Sequence, residues 1–113
     1  MDPHVDNDTL AELKELMEDE FPTLIHAYLS DSSTRIAEMA ETIERADAEG
    51  LRRAAHSLKG SSSNLGAVTL SALCLALEQQ ARVGDLFGAR EQLTGIQEEF
   101  AAVITVLRSR LIS

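Results

Sequence analysis

The sequence has few of the residues that break helices or build disulfides. It contains one cysteine, Cys74, two prolines, Pro3 and Pro22, no tryptophan and only 4% aromatic residues. A single cysteine excludes an internal disulfide and fits a reducing compartment. Because both prolines lie near the N-terminus, no proline interrupts a helix after Pro22. With 113 residues, 44% of them hydrophobic, we expect residues 1–113 to form a single domain with one core.

Basic charge is also scarce. Ten basic residues stand against 19 acidic residues, which gives a net charge of −9. Residues 1–50 carry 14 acidic and 3 basic side chains, a net of −11, whereas residues 51–113 carry 5 acidic and 7 basic side chains, a net of +2. Nucleic acids and anionic membranes bind basic faces, so we expect neither to be the main partner.

No stretch of the sequence predicts export or membrane insertion. The first residues, Met-Asp-Pro-His-Val-Asp, are acidic and lack the apolar segment of a secretory signal. No window approaches the roughly 18 consecutive apolar residues of a membrane-spanning helix. These features predict a cytoplasmic protein, which we expect to be a monomer.

Apolar residues recur at helical spacing along the chain. The clearest series follows intervals of three or four residues, through Ile25, Leu29, Ser32, Ile36, Met39 and Ile43. Thr9 to Glu12 has the S/T-x-x-E form of a capping box, Gly66 is a helix stop, and Asp85 is placed to cap the last helix. The pattern predicts helices over about residues 8–19, 22–46, 51–65, 68–83 and 86–111.

These elements predict an all-α fold. Four long amphipathic helices with short connections are typical of an antiparallel up-down four-helix bundle, with the short additional N-terminal helix packed across one end. In the fourth helix we expect Leu70, Leu73, Cys74, Leu77 and Ala81 to be buried, which would make Cys74 an inert core residue.

The third predicted helix carries one histidine on its polar side. Its apolar stripe consists of Leu51, Ala54, Ala55, Leu58, Ser62 and Leu65. At about 100° per residue, His56 falls on the side opposite this stripe, so we expect its imidazole to project into solvent. The same outer side holds Arg52, Arg53, Lys59, Gly60 and Ser63.

This outer face has the properties of a docking surface for chemistry on His56. A mid-helix glycine at Gly60 costs about 0.5–1 kcal/mol relative to alanine, and it leaves room for another protein to come close. A neutral imidazole is nucleophilic, and nearby cations stabilise a phosphoryl group that is transferred to it. The alternative is that His56, Lys59 and the two arginines are ordinary solvated surface residues.

Other kinds of site find little support. The histidines His4, His26 and His56 and the single cysteine lack the spacing of metal ligands. The segment from Gly60 to Gly66 is not a phosphate-binding loop, because no Lys-Ser/Thr follows it and no strand precedes it. The sequence also lacks the G-x-S-x-G motif of serine hydrolases.

Residues 55–67 read Ala-His-Ser-Leu-Lys-Gly-Ser-Ser-Ser-Asn-Leu-Gly-Ala, and this segment resembles the signature of histidine-containing phosphotransfer (HPt) domains. The similarity continues through Leu70, Cys74, Leu77 and Glu78 and covers the central third of the chain. It implies that His56 accepts a phosphoryl group from the aspartate of a receiver domain, usually on a hybrid sensor kinase, and passes it to a response regulator.

The resemblance also implies roles for the neighbours of His56. Lys59 matches the lysine that offsets phosphoryl charge, and Gly60 matches the glycine that permits close approach. Glu78 stands where a polar side chain hydrogen-bonds the imidazole, and Arg82 occupies a position that is often basic. Arg52 and Arg53 are expected to add charge support. We expect no nucleotide site and no cofactor, with any Mg²⁺ held by the receiver.

A receiver partner needs an apolar patch beside His56. The candidates lie at the junction of the first two helices, Met17, Phe21 and Leu24, with Ser63 on the approach surface. Phe21 and Leu24 have an alternative explanation as a hydrophobic staple between those helices. The acidic first half of the chain is also suited to steering a basic partner surface.

Three other functions are consistent with such a bundle. The first is a phosphorylation-independent binding module that sequesters a response regulator. The second is a hydrolytic enzyme in which His56 acts as a base, although no second catalytic group shares its face. The third is a fragment of a chemotaxis-type kinase, although the complete last helix and Ser113 favour a stand-alone protein.

Overall fold

The computed structural model describes residues 3–112, and these residues form helices and connecting turns without any strand. Helix α1 spans Asn7–Met17, and a short 3-10 segment, Glu18–Glu20, leads into α2, Phe21–Glu44. The remaining helices are listed in chain order as α3 (Ala48–Asn64), α4 (Val68–Arg82) and α5 (Ala89–Leu111). The predicted all-α fold with five helices is therefore confirmed.

Helices α2 to α5 form a closed four-helix bundle. Each packs against its neighbours in the chain, α2 on α3, α3 on α4 and α4 on α5, and α5 returns to pack against α2. Helix α1 packs against α2. The result is an elongated body of 42 × 25 × 18 Å. Within residues 3–112, no helix has both the length and the apolar composition needed to span a membrane.

The core lies along the axis of this bundle and is mainly aliphatic. The largest fully buried apolar side chains come from every helix, and they are Val5, Leu10, Phe21, Ile25, Met39, Leu51, Leu58, Leu70, Leu77, Ile96 and Leu107. The rings of Tyr28 and Phe100 meet edge to face with centroids 6.4 Å apart. Leu73 is 36% exposed, so its predicted burial is wrong; it lies at the margin of the buried stripe of α4.

Two helix starts differ from the prediction because aspartate side chains cap them. Helix α1 is capped by Asp6, whose carboxylate accepts from the backbone of Asp8 at 3.1 Å, so the predicted capping box at Thr9 is wrong. The Thr9 hydroxyl instead donates to Asp6 at 3.0 Å. Helix α3 begins at Ala48, earlier than expected, because Asp47 caps it by accepting from the Gly50 backbone at 2.9 Å.

The last helix begins at Ala89 and not near residue 86. Gly88 has a φ of 73°, a left-handed conformation that separates the loop from the helix. Asp85 accepts a hydrogen bond from the Phe87 backbone at 2.9 Å, so it shapes the loop and does not cap α5. This loop leaves Phe87 89% exposed at the tip of the α4–α5 connection.

Candidate functional site

The side chain of His56 projects from the outer face of α3, as the sequence predicts. Its side chain is 61% exposed, whereas Leu51, Ala55 and Leu58 on the opposite face are fully buried. The helical period produces this separation, because residues of the buried stripe recur every three or four positions and His56 falls between them.

Helix α4 places a carboxylate directly against this imidazole. Glu78 is 1% exposed, and its Oε2 lies 2.9 Å from His56 Nδ1. Two cations reach the same group, with Lys59 Nζ at 2.8 Å from Oε1 and Arg82 Nη2 at 3.1 Å from Oε2. Lys59 lies one turn after His56 on α3, and Arg82 lies one turn after Glu78 on α4. The structure thus brings four of the predicted site residues into one cluster.

The protonation state of Glu78 follows from this cluster. Burial raises the pKa of Glu78, but hydrogen bonds from Lys59 and His56, together with their charge, lower it further, so the net shift of its pKa is downward. These interactions outweigh burial because the two cations, Lys59 and Arg82, lie 2.8 Å and 3.1 Å from the carboxylate oxygens. Glu78 is therefore ionised at neutral pH.

An ionised carboxylate fixes the tautomer of a neutral His56. Because a carboxylate only accepts hydrogen bonds, the ring nitrogen that faces it must carry the proton. Nδ1–H then donates to Glu78, and Nε2 keeps its lone pair on the exposed side of the ring. This is the protonation state that a nucleophilic imidazole needs.

Arg52 and Arg53 lie close by but have a different partner. Arg52 Nη2 is 2.7 Å from Glu49 Oε1, and Arg53 Nη1 is 3.9 Å from the same atom. The hydrogen bond from Arg52 is the main cause of a lowered pKa at Glu49. Both ion pairs are exposed to solvent and therefore easily exchanged. The sequence identified the two arginines but did not reveal this carboxylate partner.

Gly60 is not required by packing within this chain. A Cβ atom added there would meet no heavy atom within 4 Å. Gly50, by contrast, sits where a Cβ would come to 2.7 Å from the Thr42 methyl carbon. The space at position 60 on the outer face of α3 would therefore accept a side chain, and packing does not require glycine there.

The serines after Gly60 divide between surface and core. Ser63 is exposed, and its hydroxyl lies 2.6 Å from that of Ser71 on α4. Ser71 also donates to the backbone carbonyl of Lys59 at 3.2 Å, which ties α4 to the helical turn that carries the lysine. Ser62 is buried, with its hydroxyl 2.8 Å from that of Tyr28.

An apolar groove lies between α1, α2 and α3, and its lining on α3 begins at Ser61, the residue after Gly60. It has a volume of about 390 Å³ and is lined by Leu13, Met17, Leu24, Ala27, Tyr28, Asp31, Ser61, Asn64 and Leu65. Two of the predicted docking residues, Met17 and Leu24, belong to it. Phe21 does not, because it is 2% exposed and packs in the core, so Phe21 is removed from the predicted docking surface. Leu13, four residues before Met17, is a groove residue that helical spacing alone would have added.

The other reactive side chains lie elsewhere. Cys74 is buried, which raises its thiol pKa to about 12 and is consistent with an inert core residue. His4 pairs with Glu99 on α5, with Nδ1 and Oε2 2.7 Å apart. Across residues 3–112, no three or more His, Cys, Asp or Glu side chains are grouped so that they could hold a metal ion.

Comparison with known proteins agrees with the site geometry. A family model described as the Hpt domain matches residues 23–106. The chain therefore belongs to the Hpt domain family, whose members are phosphotransfer intermediates that interact with receiver domains and response regulators. Its role is phosphotransfer in two-component signalling.

Solved structures support the same assignment. The chain is similar to histidine-containing phosphotransfer protein B (HptB) from Pseudomonas aeruginosa PAO1, with 40% identity over 97% of this chain and 96% of that one, and a TM-score of 0.94. Two plant proteins share the fold. A putative histidine-containing phosphotransfer protein from rice has 20% identity over 96% of this chain and 82% of that one, with a TM-score of 0.85. Maize ZmHP2 has 22% identity over 96% and 89%, with a TM-score of 0.84. No sequence among the curated proteins matches the chain significantly.

Proposed function

We propose that His56 accepts a phosphoryl group from the aspartate of one receiver domain and donates it to the aspartate of another. The observation that carries this proposal is the paired state of the imidazole, with Nδ1 held by Glu78 at 2.9 Å and Nε2 on the exposed side of the ring. In the first step Nε2 forms a bond to phosphorus as the aspartyl oxygen–phosphorus bond breaks. The second step reverses this on a new carboxylate.

Cations around His56 supply the charge that this transfer needs. The phosphoryl group carries close to two negative charges, and Lys59 and Arg82 already lie at the edge of the ring through their contacts with Glu78. Arg52 and Arg53 add two further cations one turn earlier on α3. Their bonds to Glu49 are solvent-exposed, so they cost little to exchange for a phosphoryl oxygen.

The receiver would dock over Gly60 and the apolar groove. The groove offers apolar surface from Met17 and Leu24 and reaches Ser61, the residue after Gly60, where an added Cβ would meet no heavy atom within 4 Å. Ser63, exposed on α3, would lie on the same approach. Asp31 lies in the groove lining, and residues 1–50 have a net charge of −11, so a docking face with basic residues around an apolar side chain fits it best. This chain would bring no nucleotide or metal of its own, and Mg²⁺ would be held by the receiver.

Phosphotransfer to the purified chain tests this proposal. A receiver domain charged with acetyl phosphate and Mg²⁺ should transfer label to the wild type. His56→Gln should accept none, and His4→Gln, which alters the other His–Glu pair, should accept as much as the wild type. Label that remains in His56→Gln would refute the site.

The groove also supports a second candidate, a binding module that sequesters a regulator without phosphotransfer. The same variants separate the two functions. If the wild type binds receivers tightly but none of a panel of charged receivers labels it, and His56→Gln binds and signals equally well, the binding module is the correct function.

A further inference from the structure

The carboxylate of Glu78 contacts three side chains, and phosphorylation of His56 would change which of them pair with it. In the unphosphorylated protein the buried carboxylate faces Lys59 at 2.8 Å, Arg82 at 3.1 Å and the neutral His56 ring at 2.9 Å. A phosphoryl group on Nε2 would attract the same two cations with about twice the charge. Glu78 would then lose the partners that now compensate it, and a buried carboxylate left unpaired is strongly destabilising.

The ring itself can supply the missing positive charge. When Nε2 of a ring that bears a proton on Nδ1 bonds to phosphorus, both nitrogens are substituted and the ring becomes cationic. That charge would lie 2.9 Å from the carboxylate of Glu78. Lys59 and Arg82 would pair with the phosphoryl oxygens, and Glu78 would pair with the ring. Each charged group in the cluster is then paired with a group of opposite charge, both before and after phosphorylation.

We propose that Glu78 holds the Nδ1 proton on His56 throughout the transfer cycle, so that the phosphorylated ring stays cationic and departs as neutral imidazole. This inference rests on the proposed function and goes further by stating the reactive form of the phosphorylated protein. On donation, the electrons of the nitrogen–phosphorus bond return to Nε2, the acceptor carboxylate bonds to phosphorus, and Nδ1–H remains bound to Glu78. Neither half of the cycle releases or takes up a proton.

The consequence is a phosphohistidine that remains a good donor above neutral pH. If Nδ1 lost its proton, the ring would have to leave phosphorus as an imidazolate anion, which is a poor leaving group. The charged groups around the ring are Lys59 on its own helix, Glu78 and Arg82 on α4, and Arg52 and Arg53 one turn earlier on α3. Glu49, the partner of the two arginines, lies two turns before the ring. Glu78 is the anion in direct contact with the ring.

The substitution Glu78→Gln tests the negative charge of Glu78 separately from its hydrogen bond to the ring. The glutamine carbonyl can still accept from Nδ1–H, so the tautomer is kept while the negative charge is removed. The intact protein would be phosphorylated with phosphoramidate, and the ring nitrogens and phosphorus followed by NMR from pH 6 to pH 10. We expect the midpoint at which Nδ1 loses its proton to fall by about 1–2 pH units in Glu78→Gln. Transfer to a receiver should decline at correspondingly lower pH.

Two further variants keep this test decisive. Glu99→Gln removes the carboxylate of the other His–Glu pair and should leave the midpoint at its wild-type value. Glu78→Asp keeps the negative charge on a side chain one methylene shorter, which withdraws the carboxylate from the ring. The midpoint should fall by less than in Glu78→Gln, and this variant decides the question if Glu78→Gln does not fold.

An unchanged midpoint in Glu78→Gln, or in Glu78→Asp where Glu78→Gln does not fold, would overturn this role for Glu78 while leaving His56 as the phosphorylated residue. If a folded wild type takes up no phosphoryl group from phosphoramidate or from a charged receiver, the proposed function itself fails.

Discussion

The protein contains two histidine–glutamate pairs that look alike in isolation. His56 and Glu78 lie 2.9 Å apart, and His4 and Glu99 lie 2.7 Å apart, each joined through Nδ1 and Oε2. Their surroundings differ. His56 is 61% exposed beside an almost fully buried carboxylate, whereas His4 is 38% exposed and Glu99 is 12% exposed. Within residues 3–112, Glu78 also pairs with Lys59 and Arg82, whereas the ion pair of Glu99 is with His4 alone.

We propose that this difference is what makes one pair suited to phosphotransfer. The hydrogen bond to Nδ1 orients a ring in both places. At His56 the same bond is combined with a mainly exposed side chain, two cations on the same carboxylate, and a nearby glycine where an added Cβ would meet no heavy atom within 4 Å. At His4 the pair ties the segment before α1 to α5, next to the Thr69 hydroxyl bond to the Pro3 carbonyl at 2.6 Å. The first pair is therefore suited to chemistry and the second to holding the N-terminal segment.

Replacing each histidine with glutamine should give the largest difference between the two pairs, measured as phosphoryl acceptance. His56→Gln should abolish phosphoryl acceptance, because no other group in the cluster offers a free nucleophilic nitrogen. Its free energy of unfolding should change by about 0.5 kcal/mol or less, since the side chain is mainly exposed and glutamine can donate to Glu78. His4→Gln should transfer at the wild-type rate. Equal loss of labelling in both variants would remove the distinction between the pairs.

The cations should have the next largest effect. Lys59→Ala should slow transfer by roughly 5- to 150-fold, because a charge-assisted bond to the phosphoryl group is worth about 1–3 kcal/mol. Arg90→Ala removes an exposed cation paired with Glu44 and should transfer normally. Rapid-quench kinetics and receiver binding should be measured together. If Lys59→Ala acts only by weakening the complex, its role in offsetting phosphoryl charge is wrong.

Two mid-helix glycines test the requirement for an open approach. A Cβ at Gly60 on α3 or at Gly95 on α5 would meet no heavy atom within 4 Å, so both positions accept a larger residue. Gly60→Gln and Gly95→Gln should each raise the free energy of unfolding by about 0.5–1 kcal/mol through helix propensity. Only Gly60→Gln should also lose receiver binding and transfer, as measured by titration calorimetry and labelling. Normal transfer by Gly60→Gln would show that no partner approaches there.

The pH dependence of stability should show the smallest effect. Because the pKa of Glu78 in the folded state lies below its ordinary value of 4.5, its ionisation stabilises the fold above that pH. This contribution should be lost as pH falls through the lowered pKa. Urea unfolding of the wild type and Glu78→Gln at pH 7 and pH 3 should therefore give a difference in unfolding free energy that shrinks at the lower pH. A constant difference would mean that the charge of Glu78 does not stabilise the fold.

Periodicity predicted most of the fold because long amphipathic helices leave a regular pattern. The seam of α2 and the exposed side of α3 followed from spacing alone. The ends of helices did not, because they depend on single side chains. Asp6 and Asp47 cap α1 and α3 from positions outside the apolar pattern, and left-handed Gly88 delays the start of α5.

The residues of the candidate site and the contact between Glu78 and the imidazole were predicted, but the ion pairs around them were not. Residues on one face of α3 can be placed from sequence, so the exposure of His56 followed from its distance to the buried stripe. That Lys59 and Arg82 converge on Glu78, and that Arg52 is held by Glu49, depends on how α4 docks against α3 and on side-chain rotamers. Phe21 was misplaced because an apolar residue at a helix junction has the same sequence pattern whether it faces the core or a partner.

The position of the phosphoryl group on the ring tests the central claim most directly. The protein labelled uniformly with ¹⁵N and phosphorylated by a charged receiver would be analysed by phosphorus–nitrogen correlation NMR at pH 8. Our account predicts a single phosphohistidine, at His56, with phosphorus bonded to Nε2 and a proton retained on Nδ1 next to Glu78. Phosphorus on Nδ1, or on any other side chain, would contradict it.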